Sequence, residues 1–429
     1  MLTSSYPKYA GETTAPFIEE IAAALVRRGH CVTVVAPFHP EVRRSAVERG
    51  VRLRFYRYAP HPALNVYGYA ESLRADVGLR SQALAAVPLA VAASLIELLR
   101  CTRAAAGAGT SSSRRAPSPA AVPLPFDIIH AHWVLPNGVP AALAARLRGL
   151  PLVVSLHGSD VYMAARTWPL ALAAATVFRS AGAVTACSGD LRERALRLGA
   201  RASDTTVVPY GVDVAAFRPD PAGAAAARAE LGLPEGAPLV LAVGRMVYKK
   251  GFTYLLEAFP RVLARHPEAR LAIVGYGDLR ADLERRAAEL GIATRVLFPG
   301  QLARARAART IGAADVYVVP SVRDQAGNVD GLPNTLLEGM SAARPIVATN
   351  IAGMPDVIAD GVHGLLVPER DPQALAQAVV RLLDDRAFAQ ALGERARARA
   401  LEELTWDAAA ERFEAAYARA LGRVNSYLE

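Results

Sequence analysis

Gly244-Arg-Met-Val-Tyr-Lys-Lys-Gly251 is the stretch that decides the fold, because it directly follows the apolar run Leu239-Val-Leu-Ala-Val243. A buried strand that leads through glycine and cations into a helical pattern is typical of an α/β protein. Further along, Asp330-Gly-Leu-Pro-Asn-Thr-Leu-Leu-Glu338 places one carboxylate in a Gly/Pro loop and another on the helix that follows. Fixed cations beside carboxylates that can bind a diol suit a phosphorylated sugar, such as a sugar nucleotide.

Composition limits the class of protein. The chain has 429 residues, of which 52% are hydrophobic and 21% are charged, so two or three packed domains are expected. The formal charge of +9 suits nucleic acid, phosphorylated substrates or an anionic membrane, although an arginine-rich composition alone also accounts for it. The three cysteines show no metal or disulfide spacing, and residues 1–8 lack the features of a signal peptide. A cytoplasmic setting is therefore expected.

Strand and helix patterns alternate along the chain. In the first half, strands are predicted over residues 32–36, 127–130 and 152–156. In the second half, strands are predicted over residues 239–243, 271–274, 296–298, 316–319 and 345–348. Helical patterns fall between them, including one over residues 17–28 that stops at Gly29. This alternation indicates parallel sheets covered by helices.

A proline-rich segment over residues 217–238 separates two units of similar size. The predicted domains are residues 1–216, residues 217–405 and a final helical segment over residues 406–429. Residues 104–125 are rich in Ala, Gly, Ser and Pro, and are predicted to form a mobile loop inside the first domain. If the two units face each other, the ligand site lies in the cleft between them, beyond the carboxyl ends of the strands.

Arg245 and Lys250 are the candidate phosphate ligands. Arginine offers phosphate a bidentate fork and lysine a compact charge, and the helix that starts near Gly251 adds unpaired amides. On its own, this turn would more often be a solvated basic surface. Asp330 and Glu338 are the candidate diol ligands, since a carboxylate accepts two hydrogen bonds from a ribose, although a surface acid is the ordinary alternative for either one.

Other candidates lie at predicted strand ends. His157 in Leu156-His-Gly-Ser-Asp160 could donate to a sugar hydroxyl, and Gly11 and Gly275 could present backbone amides to a phosphate. His130 and His132 are expected to point to opposite faces of their strand, so no metal site is predicted. Asn334 is expected to cap the helix that carries Glu338.

Taken in order, these segments make the chain similar to the retaining glycosyltransferases of family four. The matching pieces are Thr3-Ser-Ser-Tyr-Pro-Lys8, Arg28-Gly-His30, Asp127-Ile-Ile-His-Ala-His132, His157-Gly-Ser-Asp160, Val208-Pro-Tyr-Gly-Val-Asp213, Gly244-Arg245, Lys250-Gly251 and the acidic motif that ends at Glu338. The resemblance covers nearly the whole chain. It implies the α/β GT-B fold, in which two Rossmann-like domains face each other across a deep interdomain cleft and the C-terminal helix packs back on the N-terminal domain.

The resemblance also implies roles for residues. Arg245 and Lys250 would hold the donor diphosphate with no metal or other cofactor, and Glu338 would bind the ribose hydroxyls. His157 and Asp330 would contact the transferred sugar. The further donor-binding positions are Gly11, Gly244, Gly275, Gly331, Leu332, Asn334 and Thr335. The implied reaction moves a hexose-type sugar from a nucleotide-diphosphate sugar, with UDP or GDP as the nucleotide, to an acceptor hydroxyl, with retention at the anomeric carbon.

Three departures from the family pattern leave alternatives open. Asp330 stands where the family has glutamate, Gly11-Glu12 replaces a glycine pair, and Met1 lies inside what should be the first strand, so that strand is expected to be clipped or the start mis-set. A sugar-nucleotide 2-epimerase of the same fold and a sugar-nucleotide-binding protein with a decayed site are the alternatives. A glycosidase would not need the cations, and nucleic-acid binding fits least because no basic strip carries interleaved aromatics.

The acceptor is expected on the N-terminal half. An apolar run over residues 83–99 is followed by Arg100, Arg103, Arg114 and Arg115. Further charge comes from Arg43, Arg44, Arg49, Arg52, Arg54 and Arg57. Apolar and basic surface together suit anionic lipid, which gives the hypothesis of an enzyme in polysaccharide biosynthesis that visits the cytoplasmic membrane face and glycosylates a lipid-linked or cell-envelope acceptor. A buried helix with scattered arginines is the alternative.

Overall fold

The computed structural model describes residues 1–12, 14–61, 64–69, 73–74, 78–79, 81–103, 126–325 and 327–425. The loop predicted over residues 104–125 lies outside the described residues. The described chain forms two mainly parallel sheets flanked by helices, one in each half, and a short separate hairpin in the N-terminal half. This is the α/β architecture that the alternating pattern predicts.

The N-terminal half is built on one sheet. Its strands are β1 (Thr33–Pro37), β2 (Val47–Glu48), β3 (Val51–Tyr56), β6 (Ile129–His132), β7 (Leu152–Leu156), β8 (Ala183–Ala186) and β9 (Thr205–Val207), and a separate hairpin is formed by β4 (Leu73–Arg74) and β5 (Gly78–Leu79). The order is β2-β3-β1 on one side and β6-β7-β8-β9 on the other. Leu2 joins them, because its backbone pairs with Val35 of β1 and Ala131 of β6. Residues 1–3 thus fill the centre of the sheet.

The helices of this half cover both faces of its sheet. They are α1 (Pro16–Arg27), α2 (Ser81–Cys101), α3 (Gly138–Arg148), α4 (Ser159–Ala164), α5 (Trp168–Ser180) and α6 (Gly189–Arg197). Every residue of β1, β6, β7 and β8 is buried, as expected for parallel strands with helices on both sides. The prediction that the first helix stops near Gly29 is confirmed, because Gly29 has a positive φ of 96° just after α1.

The C-terminal half contains a doubly wound sheet in the order β12-β11-β10-β13-β14-β15. Its strands are β10 (Leu239–Val243), β11 (Arg270–Val274), β12 (Val296–Gly300), β13 (Val316–Val319), β14 (Ile346–Thr349) and β15 (Leu365–Val367). Its helices are α7 (Pro221–Glu230), α8 (Phe252–Arg265), α9 (Arg280–Glu289), α10 (Arg304–Gly312), α11 (Asn334–Ser341), α12 (Met354–Val357), α13 (Pro372–Asp384) and α14 (Arg386–Glu403). The strand order reverses between β10 and β13, where open parallel sheets bind ligands.

Two predicted helix caps had opposite outcomes. The Asp371 side chain accepts hydrogen bonds from the amides of Gln373 and Ala374 and caps α13, as its position before Pro372 predicts. The prediction that Asn334 caps α11 was wrong, because Pro333 occupies the cap position and Asn334 is the first residue of the helix. Among the described residues, no side chain caps the start of α11, and Asn334 does not act as its cap.

The last helix, α15 (Trp406–Asn425), returns to the N-terminal half. It packs against α1, β7 and β8, and a Cβ on Gly182 would lie only 2.9 Å from the Cβ of Ala420. The hydroxyl of Tyr417 lies 2.8 Å from Nδ1 of His130. The prediction that the C-terminal helix packs back on the first domain is thereby confirmed. Among the described residues, no helix combines the length and the apolar character that a transmembrane span requires.

Candidate functional site

The two halves meet where their strand-end loops face each other. Gly158, which follows β7, lies against the loop before α11: a Cβ on Gly158 would be 3.5 Å from the amide nitrogen of Gly331. A Cβ on Gly331 would in turn lie 2.7 Å from Sγ of Cys187 and 2.7 Å from Cδ1 of Leu191. Nearby, the Gly189 amide donates to Asp356 at 2.7 Å. The loop that carries Asp330 therefore lies directly on the N-terminal half, with no room for a side chain at residue 331.

Two lysines hold Asp330 in a tight ion-pair cluster. Nζ of Lys250 lies 2.6 Å and Nζ of Lys249 lies 3.0 Å from the two carboxylate oxygens of Asp330, and all three side chains are mostly buried. Burial alone would raise the pKa of Asp330, but the charges of Lys249 and Lys250 outweigh it and lower that pKa far below its usual range. The sequence predicts Lys250 as a phosphate ligand and Asp330 as a diol or sugar ligand, but not the ion pair between them. Lys249 was missed, and the only signal for it was its place beside Lys250.

The backbone around the cations is fixed by close contacts. Gly251 has a positive φ of 68°, and a Cβ there would lie 1.8 Å from the carbonyl oxygen of Pro320. Gly244 and Gly275 also pack backbone to backbone, but their amides already donate to the carbonyls of Val274 and Gly300. Their role is therefore close approach, because in this structure neither amide is available to a phosphate. Arg245 follows Gly244 and is partly exposed at the end of β10.

Glu338 lies in the second turn of α11, beneath the same loop. Burial raises the pKa of its carboxyl to about 7, although Arg304 and Lys250 act in the opposite direction. Gly339 lets α11 approach the sheet, since a Cβ there would lie 2.5 Å from the Tyr317 ring. Lys250 therefore lies near enough for its charge to act on the Glu338 carboxyl as well as on Asp330.

The remaining predicted donor residues lie in the loop before α11 or across from it. Leu332 is buried, and Thr335 is the second residue of α11. The Oδ1 atom of Asn334 is buried and makes no hydrogen bond within the described part of the chain, so it is an acceptor that a ligand could satisfy. Gly11 lies in an exposed loop with a positive φ of 84° and open space around it.

His157 lies in a buried polar cluster at the end of β7. Its Nε2 is 3.0 Å from Nδ1 of His132, and its Nδ1 is 2.8 Å from the hydroxyl of Tyr210. Burial lowers the pKa of His157 to about 3, so the ring is neutral at physiological pH. Both ring nitrogens already have partners, and a contact between His157 and a sugar hydroxyl requires the exchange of one of these bonds.

The prediction that His130 and His132 point to opposite faces was wrong. Their ring centroids are 4.2 Å apart on the same face of β6, because residues two apart in a strand share a face. Nε2 of His130 is 2.6 Å from the hydroxyl of Ser155, and His132 contacts His157. The two histidines therefore connect α15 to the strand end that carries His157.

Comparisons with known proteins show the family to which the chain belongs. Residues 237–385 match the family model described as glycosyl transferases group 1, and residues 13–211 match the glycosyl transferase 4-like domain. A GDP-mannose-dependent alpha-(1-6)-phosphatidylinositol monomannoside mannosyltransferase of Mycolicibacterium smegmatis is 33% identical over 276 residues, which are 63% of this chain and 71% of that relative. A D-inositol 3-phosphate glycosyltransferase of Streptomyces avermitilis is 33% identical over 66% of this chain and 63% of its own length.

Solved structures support the fold. Sucrose-phosphate synthase from Thermosynechococcus elongatus superposes with a TM-score of 0.74 at 22% identity, over 98% of both chains. HepE from Anabaena, in complex with UDP and glucose, superposes with a TM-score of 0.71 at 19% identity, over 96% of this chain and 97% of its own. The chain belongs to the group 1 glycosyltransferases of family four, and it is an enzyme of nucleotide-sugar-dependent glycosyl transfer.

Proposed function

We propose that the protein is a retaining, metal-independent glycosyltransferase that moves a hexose-type sugar from UDP or GDP to an acceptor hydroxyl. The observation that carries this proposal is the pairing of Lys249 and Lys250 with Asp330, together with Glu338, which lies near enough for the charge of Lys250 to oppose the rise that burial causes in the pKa of its carboxyl. The lysines and Arg245 supply the positive charge that a diphosphate leaving group needs, so no divalent cation is required for that task. Glu338, when ionised, accepts two hydrogen bonds from the ribose diol.

The proposed chemistry proceeds on one face of the sugar. The bond from the anomeric carbon to the diphosphate oxygen breaks as the acceptor oxygen approaches from the same side. The acceptor proton passes to an oxygen of the departing phosphate, so charge grows at the diphosphate in the transition state. Preorganised cations stabilise that charge, and loss of Arg245 should cost about 2.7–4 kcal/mol of transition-state stabilisation, by analogy with the loss of a hydrogen-bond donor in other enzymes.

Asp330 has a different role in this proposal from the one that the family resemblance implies. Its carboxylate is taken up by Lys249 and Lys250, and it is one methylene shorter than the family's glutamate. We assign it the role of an internal counter-ion that neutralises the two lysines until a donor diphosphate arrives. The phosphate oxygens then share or replace the carboxylate as partners of the ammonium groups, which can each donate three hydrogen bonds.

The acceptor in this proposal is lipid-linked or part of a cell-envelope glycan, and the enzyme works at the cytoplasmic face of a membrane. Support comes from the mannosyltransferase of Mycolicibacterium smegmatis, whose name includes the lipid phosphatidylinositol monomannoside. The acceptor would enter from the N-terminal half, beside His157 and Gly11.

The first experiment is calorimetric titration of the full chain with UDP and with GDP, followed by turnover of the matching nucleotide sugars. We expect one nucleotide to bind and its affinity to fall about tenfold or more in Glu338→Gln. The exposed acid Glu284 offers a matched control, since Glu284→Gln changes charge equally on α9. NMR of the product anomeric proton reports retention, and turnover in EDTA reports metal independence. Binding of neither nucleotide, or an epimerised donor as the product, would overturn the proposal.

A further inference from the structure

Exposed apolar side chains concentrate on three helices of the N-terminal half. Eight of the fifteen exposed large apolar side chains in the described part of the chain belong to α2, α3 and α5. They are Leu89, Ile96, Val139, Leu143, Leu147, Trp168, Leu170 and Leu172. Single exposed apolar residues need no explanation, but a concentration of this kind marks an interaction surface. We name these eight residues the three-helix face.

The three helices are neighbours, so their exposed residues form one surface. The guanidinium of Arg148, at the end of α3, donates to the carbonyl of Leu99 in α2 at 2.6 Å. At its other end α3 touches α5, where a Cβ on Gly138 would lie 2.7 Å from Val177. The inner sides of these helices are buried among small residues such as Ala141 and Ala174. The apolar residues of the three-helix face therefore lie on the outer side of the helix layer.

The charge on these helices has one sign. Glu97 is the only acidic residue within α2, α3 and α5, and it is buried and paired with Arg54 at 2.5 Å. The exposed cations on or next to these helices are Arg100, Arg103, Arg146, Arg148, Arg166 and Arg179. Apolar side chains bordered by arginines suit a layer that is apolar below and anionic at its surface.

Trp168 adds a second argument for lipid. It is 78% exposed at the first turn of α5, although tryptophan is normally well covered in folded proteins. Indole rings favour the boundary between apolar chains and head groups, where one edge is wet. A second copy of the chain is a poorer occupant, because a symmetric self-contact would bring the arginines of both copies together.

Several arginines that the sequence suggested for a membrane surface are occupied elsewhere. Arg44 is buried and pairs with Glu19 and Glu48, and Arg49 pairs with Glu20. Arg54 pairs with Glu97, as above. Three of the six arginines expected to form a basic surface between residues 43 and 57 are therefore neutralised by carboxylates, and the candidate membrane contact is the three-helix face instead.

We propose that the three-helix face docks on an anionic lipid bilayer and holds the N-terminal half against it. The proposal goes beyond the proposed function and rests on it only for the idea that the acceptor resides in that membrane. The docking itself requires neither the donor nor turnover, so it can fail or hold independently of the glycosyl transfer.

The test is co-sedimentation of the full chain with vesicles of phosphatidylcholine alone and of phosphatidylcholine with phosphatidylglycerol. Leu143→Ser is the variant and Leu401→Ser, on α14, is the matched control, because both leucines are 45% exposed. We expect at least tenfold stronger binding to the anionic vesicles, a further loss of about tenfold in Leu143→Ser, and less than a twofold change in Leu401→Ser. Trp168 emission should shift to the blue with anionic vesicles and lose that shift in Trp168→Phe.

Three outcomes would contradict docking on lipid. Equal binding to both vesicle types would remove the electrostatic basis, and equal effects of Leu143→Ser and Leu401→Ser would remove the three-helix face as the site. If Leu143→Ser changes the sedimentation-equilibrium mass without changing vesicle binding, the occupant is a second copy. Nucleotide titration of each variant confirms that it is folded and separates this result from failure of the proposed function.

Discussion

Replacing Asp330 by asparagine should tighten the binding of a nucleoside diphosphate, although it removes an apparent member of the site. The change keeps the side-chain size and deletes the charge that lies 2.6 Å from Lys250 and 3.0 Å from Lys249. If the carboxylate is an internal counter-ion, it repels the incoming diphosphate and competes with it for the same ammonium groups. Its loss leaves Lys249 and Lys250 without that carboxylate, so the diphosphate of the ligand can neutralise both charges.

The size of the effect follows from the geometry. Two acceptors on one tetrahedral ammonium, each about 2.8 Å from the nitrogen, are about 4.6 Å apart. At an effective dielectric constant of about 20, two negative charges at that distance repel by about 4 kcal/mol. Asp330 is 19% exposed, so solvent screens part of this repulsion. We expect a net gain of about 1–3 kcal/mol, or about 5- to 150-fold in affinity.

The assay is calorimetric titration of the wild type and Asp330→Asn with the nucleotide that binds, at low and high salt. Asp282→Asn is the matched control, because it deletes an exposed carboxylate paired with Arg285 on α9. The gain should shrink with salt in Asp330→Asn and be missing in the control. Unchanged or weaker nucleotide binding, together with a loss confined to the nucleotide sugar, would refute the counter-ion role and favour a contact between Asp330 and the transferred sugar.

The same substitution should destabilise the free protein. Because the folded-state pKa of Asp330 is lowered, its ion pairs stabilise the fold above the unfolded pKa of about 4 and lose that contribution as pH falls further. Removing one partner of a buried pair costs about 3–5 kcal/mol, and less here because the cluster is partly exposed. Thermal unfolding should show a lower Tm for Asp330→Asn at pH 7, with the difference shrinking towards pH 3.

Three further predictions address other parts of the site. Gly331→Ala should cost about 1–3 kcal/mol of stability and lower kcat/KM, because the new methyl group overlaps Cys187 and Leu191. Gly312→Ala, which has open space, should cost nothing in thermal unfolding, and equal Tm values for the two variants would contradict the close packing at residue 331. Nucleotide binding should strengthen as pH rises through about 7, because Glu338 ionises there, and calorimetry at pH 6 and pH 8 should show no such strengthening in Glu338→Gln. Because the folded-state pKa of Glu338 is raised, its contribution to the free energy of unfolding should fall as pH rises above about 4.5. Tyr417→Phe should cost about 1–3 kcal/mol in denaturant unfolding, because Nδ1 of His130 loses its partner while Nε2 keeps Ser155; an unaltered midpoint would mean that the bond to Tyr417 contributes nothing.

Much of the fold could be predicted because its signals are local. Strand β10 is a continuous apolar run followed by glycine, and its predicted bounds of residues 239–243 agree with the structure. Asp371 before Pro372 predicts a helix start from two adjacent residues, and the cap forms. The failure at Asn334 has the same local character, since Pro333, one residue earlier, takes the cap position. Capping propensity favours Asn over Pro, so propensity alone predicts the wrong residue at this cap.

The partners of charged residues could not be predicted in this way. Lys249 and Asp330 are 81 positions apart, and Arg54 and Glu97 are 43 positions apart, so only the folded chain decides which charges pair. The sequence therefore overestimated the free basic surface near residues 43–57 and missed the neutralisation of Lys250. The shared face of His130 and His132 is different, because it follows from the two-residue repeat of a strand and could have been predicted from the sequence.

The contact between the two halves around Gly158 and Gly331, called the seam below, shows why the site could be predicted only in part from the sequence. Glycine at residues 158, 331 and 353 is visible in the sequence, but only the structure shows that these glycines lie close together across the seam, with Gly353 donating its amide to the carbonyl of Gly331 at 2.8 Å. Because Gly331 adjoins Asp330, a shift of the N-terminal half against this loop would also move the carboxylate relative to Lys249 and Lys250. The packing at residue 331 and the position of the Asp330 carboxylate opposite its lysines are therefore set by the same short loop.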